Sequence, residues 1–374
     1  MDVAATAEIL ALEAARAVAP PRLAREAFER EHWNADVLSL PCVDLEQGWQ
    51  WGEVMRASGW RVHRYTVLDS GACVGAISLT ETRLPLLGHS ILYASRGPVL
   101  DPENDAAWAG VLEAIRYVAA RTRSIFVRVS SGRPSTDVPY HEGLLRHGFR
   151  SLEDDWTTWN APRIVVTMSL AGDEAELRRR LRKTIRQEIG LAARRGVAVR
   201  AGHSEAEVGR FHELLATIGR QKEFPVRRIE RFRALWHHYV LPGQGVLLLA
   251  EHEGALVGGL LGARFGRRGY LQCAAVRRDG AHLHQGPLLY WEFVRWAKAA
   301  GCETIDWGGS STHFPPRADD SGYGVYQFKL GFGGQLEYRL GYYDLVFVPA
   351  LYHLVRASER WLLPFAWKLR SRVN

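Results

Sequence analysis

The stretch "GVYQFKLGFGG", Gly324 to Gly334, sets a single lysine, Lys329, between an aromatic residue and an apolar run, with four glycines around it. Its aromatic and apolar content reads as a strand that ends in a glycine-rich bend carrying one charge. Glycines in such a bend let a second backbone or a ribose phosphate approach closely. A second stretch with chemical potential is "ELRRRLRKTIRQEIGLAARRG", which gathers Arg178, Arg179, Arg180, Arg182, Lys183, Arg186, Arg194 and Arg195. Leu177, Leu181, Ile185 and Ile189 recur every four residues there, so the spacing predicts one helix from about Glu174 to Arg195 with an apolar stripe on the core. The exposed arginines suit phosphodiester contacts, which supply affinity without reading base sequence. A solvated face paired with local acids is the alternative.

Other chemistries find little support. The chain has no G-x-S-x-G, no H-E-x-x-H and no phosphate-binding P-loop. His237 and His238 are adjacent, and on a helix they diverge by about 100°, which suits a surface or structural role better than a shared metal. Cys42, Cys73, Cys273 and Cys302 form no C-x-x-C pair, so neither zinc nor a disulfide framework is expected. The loop in "HLHQGPLLYWEFVRWAKAAG" stands where a GCN5-type acetyltransferase carries a glycine-rich turn for the coenzyme A pyrophosphate. Here His284, Gln285 and Pro287 occupy it, Gly286 is its one glycine, and proline lacks the N–H that such a cradle uses.

The elements that must position these groups form a repeating order. The 374 residues suggest roughly two domains. An apolar fraction of 47% with 24% charge is that of a folded globular protein, and the net charge of +7 leans toward a polyanionic partner. Residues 4–18 have helical spacing ended by Pro20 and Pro21, within an N-terminal helical extension over 1–40. This segment carries acids and lacks a basic start, so no secretory signal is expected. A first domain over 41–160 and a second over 161–345 each read as meandering strands, a helix and a further strand. That pattern is α+β, and an internal duplication accounts for it. The last segment, 346–374, mixes Trp361, Phe365 and Trp367 with Arg360, Lys368, Arg370 and Arg372. It reads as a helix that either caps the second domain or rests on an anionic membrane.

"QGWQWGEVMRASGW", "YASRGPVL", "PVRRIERF", "GCETIDWGGSS" and "GVYQFKLGFGG" occur in the order and approximate spacing of the Fem-type aminoacyltransferases. The resemblance spans about Trp49 to Tyr343. It implies two fused GCN5-related N-acyltransferase domains, each a mixed, mainly antiparallel sheet flanked by helices, with the catalytic cleft in the second. It also implies an enzyme that moves an amino acid from aminoacyl-tRNA onto an amine of a peptidoglycan precursor or peptide natural product. No cofactor and no metal are expected, and the location implied is cytoplasmic or peripheral at the inner face of the membrane.

By the same resemblance, Phe328 and Lys329 match an aromatic-lysine pair whose lysine faces the tRNA 3′ end. A cation there stabilises the oxyanion of the tetrahedral intermediate, a contribution of about 3 to 4 kcal/mol per donor. Arg227 matches an arginine that grips a phosphate of the acceptor. Trp51, Ser130, Tyr270, Gln272 and Tyr326 complete the implied substrate-binding set, and Arg182, Lys183 and Arg186 are the candidate tRNA contacts. The chain departs from its relatives at two positions. Glu53 stands where a second phosphate-binding lysine is found, and Ser130 stands where one branch has a carboxylate base. Two other readings remain open: an acyl-CoA-dependent N-acyltransferase, and a noncatalytic RNA- or membrane-binding protein of an envelope polysaccharide pathway.

Overall fold

The computed structural model describes residues 21–84, 87–152, 162–222, 225–277, 281–309, 315–320 and 322–361. They form two units, one from residues 21–152 with 339–361 and one from residues 162–338. The expected helix at 4–18 and the residues after Trp361 lie outside the described residues.

In the first unit the strands are β1 (Ala24–Glu26), β2 (Arg61–Asp69), β3 (Ala72–Leu84), β4 (His89–Ser95), β5 (Val99–Leu100), β6 (Ser124–Ser130) and β7 (Arg150–Leu152), with β15 (Tyr342–Val346) arriving from the far end of the chain. They are ordered β1-β2-β3-β4-β6-β15-β7, with β5 beside β3. Ser70 and Gly71 both have positive φ (49° and 86°), the geometry that a two-residue hairpin between β2 and β3 requires. β4 and β6 run parallel, and the helix Asp105–Thr122 (α3) makes the crossover between them. The other helices of the N-terminal part are α1 (Arg30–Ser39), α2 (Trp49–Ala57) and α4 (Val138–Arg146). Asn104 caps α3 by accepting from Ala107 N–H (2.9 Å), and Trp108, Val111, Ile115 and Val118 bury its apolar face. The expected helical extension over 1–40 is corrected in part, because Ala24–Glu26 pairs as an edge strand with β2.

The second unit contains β8 (Ile164–Ser169), β9 (Ala198–Ala201), β10 (Gly245–His252), β11 (Ala255–Phe265), β12 (Arg268–Val276), β13 (Thr304–Gly309) and β14 (Gln335–Tyr338). Their order is β14-β8-β13-β12-β11-β10-β9, again antiparallel except for one parallel pair, β12 with β13. That pairing covers Arg268–Tyr270 against Thr304–Asp306 and stops. Beyond it Gly308 takes a φ of +73°, and the pairing of β13 with β8 shifts register between Asp306 and Gly309.

Two sequence expectations change here. The single helix over 174–195 is two, α5 (Glu174–Arg180) and α6 (Lys183–Arg194), because Leu181 and Arg182 are extended and Arg182 N–H donates to Gly331 O (2.8 Å). His237 and His238 lie in a π-helical turn over Trp236–Val240 that continues α8 (Ile229–Leu235); α7 (Glu205–Gln221) precedes it and α9 (Gln285–Ala299) follows later. The "GVYQFKL" strand is a helix, α10 (Tyr323–Leu330), since the local preference of its Val, Tyr and Phe for strands yields to packing.

β15 and helix α11 (Pro349–Trp361) belong to the first unit rather than to the second domain or a cap upon it. A fully buried ion cluster accounts for this. Arg128 on β6 donates through Nε and Nη2 to both oxygens of Asp344 on β15 (2.8 Å each), and through Nη1 to Glu359 on α11 (2.9 Å). Tyr352 Oη also donates to Asp344 (3.0 Å). Burial alone would lower the arginine's pKa, but the two carboxylates outweigh it and raise it. Replacing Arg128 with alanine strands two buried carboxylates, so urea denaturation is expected to show a loss of about 3 to 5 kcal/mol. A loss under 1 kcal/mol would show that the C-terminal strand is held by other contacts.

Candidate active site

The site grows from the end of β13. Lys329 is 4% exposed, and its Nζ donates to the carbonyl oxygens of Gly309 (2.6 Å) and Gly308 (3.3 Å). A lysine ammonium has three N–H groups. Among the described residues two are engaged, which leaves the third for an external acceptor. Burial lowers the amine's pKa to about 8, opposed by the nearby Asp306 carboxylate, so the group is a cation at neutral pH with little water around it.

Asp306 was not anticipated from the sequence. Its Oδ1 accepts from Gly308 N–H (2.7 Å), and its Oδ2 lies 3.5 Å from Arg268 Nη2, which also reaches Glu337 at 3.6 Å. A chain of alternating charge, Glu337, Arg268, Asp306 and Lys329, thus runs under the point where β12 and β13 part. Its one sequence signal is the acid in "IDWGG" directly before two glycines. Tyr270 ends the β12–β13 pairing opposite Asp306 and is buried, with the Arg268 guanidinium 5.8 Å from its ring centre.

Aromatic packing fixes α10 beneath this chain. Phe328 meets Tyr290 edge-on (4.8 Å between centroids) and Phe332 (5.3 Å), and Tyr290 stacks on Trp307 of β13 (5.3 Å). Phe328 is therefore part of the core that carries Lys329. The glycines after α10 have a different use from the one read in the sequence. The backbone they admit is the chain's own: Gly333, at φ +75°, lies against Arg180 O, and a methyl on Gly334 would collide with Val166. The α5–α6 break and the Gly331–Gly334 turn thus pack as one block.

The remaining candidates are more scattered. Gln272 is half-buried on β12 and has no hydrogen bond within the described residues, while the ring of Tyr326 leans on Tyr323 (5.7 Å). Arg227 precedes α8 and is exposed, with no carboxylate in ion-pair range among the described residues. His212 Nε2 donates to its backbone carbonyl (2.9 Å). Arg182 and Lys183 are exposed, and Arg182 Nη2 sits 3.5 Å from Gln327. Arg186 instead donates to the carbonyls of Arg179 (2.9 Å) and Leu181, closing the end of α5, which is a structural task.

Trp51 and Ser130 lie in the first unit. Trp51 is buried in α2, and Glu53 pairs with Arg64 (2.8 Å) and Arg56 (3.0 Å). Ser130 ends β6, where its Oγ meets Tyr93 Oη (2.9 Å) and accepts from Arg96 N–H (3.1 Å). Both departures from the family pattern are thus occupied by local bonds.

The residues at the start of α9 do not fit a coenzyme A pyrophosphate. His284 is left-handed (φ 55°), Pro287 offers no N–H, and the buried Gln285 amide spans the opening by donating to Arg277 O (3.0 Å) and Val257 O (3.4 Å).

Lys329 also sets a stability test. Between pH 8 and 10.5 the unfolded chain holds this proton and the folded chain does not, so its share of stability rises with pH across that window. Urea titrations of wild type and Lys329→Met are expected to differ by a slope confined to that window; parallel curves would mean the amine is not desolvated.

Comparison with known proteins agrees with this architecture. A family model described as an acetyltransferase (GNAT) domain matches residues 179–323. The lipid II:glycine glycyltransferase of Staphylococcus epidermidis is 22% identical over 417 residues, covering 93% of this chain and 97% of the relative. The Staphylococcus aureus protein of the same name is 21% identical over 422 residues with the same coverage. Among solved structures, FemX aligns with a TM-score of 0.81 at 19% identity over 89% of this chain and 99% of its own. A tandem GNAT protein from the clavulanic acid biosynthesis pathway aligns at 0.54 and 13% identity, over 86% of this chain and 98% of its own. With coverage this nearly complete and the paired mixed sheets in common, the chain is similar along its length to the Fem-type transferases and shares their fold of two GCN5-related N-acyltransferase units.

Proposed function

We propose that this protein transfers an amino acid from aminoacyl-tRNA to an amine of a peptidoglycan precursor, forming a peptide bond without the ribosome. The observation that carries the reading is the buried Lys329 ammonium, clamped by two glycine carbonyls with its third N–H uncommitted among the described residues. A fixed cation in a poorly hydrated setting stabilises charge that develops beside it, at no cost of reorganisation during the reaction. In this chemistry the acceptor nitrogen attacks the ester carbonyl, the oxygen gains negative charge, and the third N–H of Lys329 donates to it. As the C–N bond completes, the C–O bond to the ribose breaks, and the amine's proton leaves with the ribose oxygen. No side-chain base is required, which accommodates a serine at position 130.

The acyl-CoA reading loses support from the same structure, since Gln285 and Pro287 close the helix end that a pyrophosphate would use. Arg227, exposed and lacking a carboxylate partner among the described residues, suits an acceptor phosphate. The relatives' shared name makes glycyl-tRNA and lipid II the first pair to assay.

Incubation of the protein with charged tRNA and lipid II is expected to yield an extended precursor, and prior ribonuclease treatment should abolish it. Product that survives ribonuclease would overturn the tRNA donor. Lys329→Ala should lower kcat by about a hundredfold to a thousandfold. The wild-type rate should fall as pH rises through about 8, where the cation is lost. A flat alkaline limb would remove Lys329 from the chemistry.

If the exposed arginine face meets tRNA, Arg182→Glu with Lys183→Glu should raise KM for charged tRNA and leave the melting temperature unchanged. Arg186→Glu should lower the melting temperature, because it closes α5. An unchanged KM in the double variant would dismiss this face.

A further inference from the structure

The first unit has an open recess of about 360 Å³ that the transfer chemistry does not use. It lies at the edge of the sheet where β4 and β6 begin, away from Ser95 and Ser130 at their other ends. Arg116 and Arg123 from the last turns of α3, His89 and Ser124 line it, with Phe347 and Val348 as its apolar floor. Both arginines are exposed, and among the described residues neither guanidinium has a carboxylate within ion-pair distance. The nearby acids are committed elsewhere: Glu113 accepts from the backbone N–H groups of Arg22 (2.9 Å) and Leu23 (2.7 Å), and Asp105 faces Arg146. The recess is preformed. Ser124 Oγ is bonded to Ser90 Oγ (2.7 Å) and Thr122 Oγ1 (2.6 Å), while Phe347 and Val348 both donate backbone N–H groups to Ile125 O (2.8 and 3.0 Å).

Two unneutralised guanidinium groups above an apolar floor match a ligand that is anionic at one end and greasy at the other. A guanidinium pair grips phosphate oxygens through parallel N–H bonds. The surroundings point to the source of that phosphate. Val348 leads directly into α11, whose inner face buries Tyr352, Val355 and Glu359 and whose outer face leaves Leu354 56% exposed. The sequence that follows, "LLPFAWKLRSRVN", alternates Phe365 and Trp367 with Lys368, Arg370 and Arg372, a composition suited to the headgroup region of an anionic bilayer. Among the described residues no helix is long and apolar enough to cross a membrane, so any attachment through them is from the surface.

The geometry points to this recess as a seat for the phosphate headgroup of an anionic phospholipid, which holds the first unit against a membrane surface. A lipid-linked acceptor then meets the enzyme in two dimensions. The seat is separate from the groups assigned to transfer, and its occupancy is read by binding rather than by turnover.

Sedimentation with vesicles tests it. The full chain is expected to pellet with phosphatidylglycerol vesicles and to stay in solution with phosphatidylcholine vesicles. Arg116→Gln and Arg123→Gln should each weaken binding about fivefold, the effect of one cation near such a surface. Both side chains are exposed, so melting temperature and turnover on a soluble acceptor should not change. Equal pelleting with both lipids, or undiminished binding by the double variant, overturns the proposal. Wild-type protein that ignores vesicles while binding inorganic phosphate through Arg116 and Arg123 also overturns it, in favour of a soluble phosphate ligand. A protein that shows no aminoacyl transfer yet behaves as expected here would remove the proposed function and leave this inference standing.

Discussion

An ammonium group taken out of water needs acceptors for its N–H groups, and the second unit is arranged to supply two of them at Lys329. The carbonyls that meet it belong to Gly308 and Gly309, and they are free to do so because β13 leaves β12 after Asp306. Parallel strands whose pairing stops expose backbone groups that would otherwise be unsatisfied. The lysine fills part of that need from below, and Asp306 supplies opposite charge beside it. Removing any member leaves a buried polar group without a partner, so the arrangement is interdependent.

The parts behind the lysine follow from its burial. α10 has to approach β13 closely, which requires the packed rings of Tyr290, Trp307, Phe328 and Phe332 on one side and the turn Gly331–Gly334 on the other. The turn in turn receives Arg182 N–H, so the break between α5 and α6 is a consequence of the same close packing. The arginine-bearing face is thereby tied to the lysine through a few backbone contacts within one unit.

In the first unit the controlling interaction is of the same kind with the sign of charge repeated in space. Arg128, fully buried, needs Asp344 and Glu359, which arrive from residues more than two hundred positions later. A buried arginine without them would be expensive, and together the three specify which strand completes the sheet. The recess lined by Arg116 and Arg123 differs in that its charges face water and can wait for a ligand.

The repeated order of strands and helices, the α+β class, most element positions, and the lysine with its aromatic neighbour were legible in the sequence, because hydrophobic period and motif order are local properties. The helical state of Tyr323–Leu330 was not legible, since Val, Tyr and Phe favour strands and only contact with β13 and the aromatic cluster reverses that preference. Asp306, Arg268 and Glu337 were invisible as a set because they come from three strands. The glycines read as room for a ligand were in fact room for Arg180, and Arg186 read as a phosphate contact closes a helix end. The sequence by itself determined which chemical groups the protein owns and the periods that fold them; the tertiary structure alone decided which of those groups lose their water, and that loss sets both the pKa of Lys329 and the partner of Arg128.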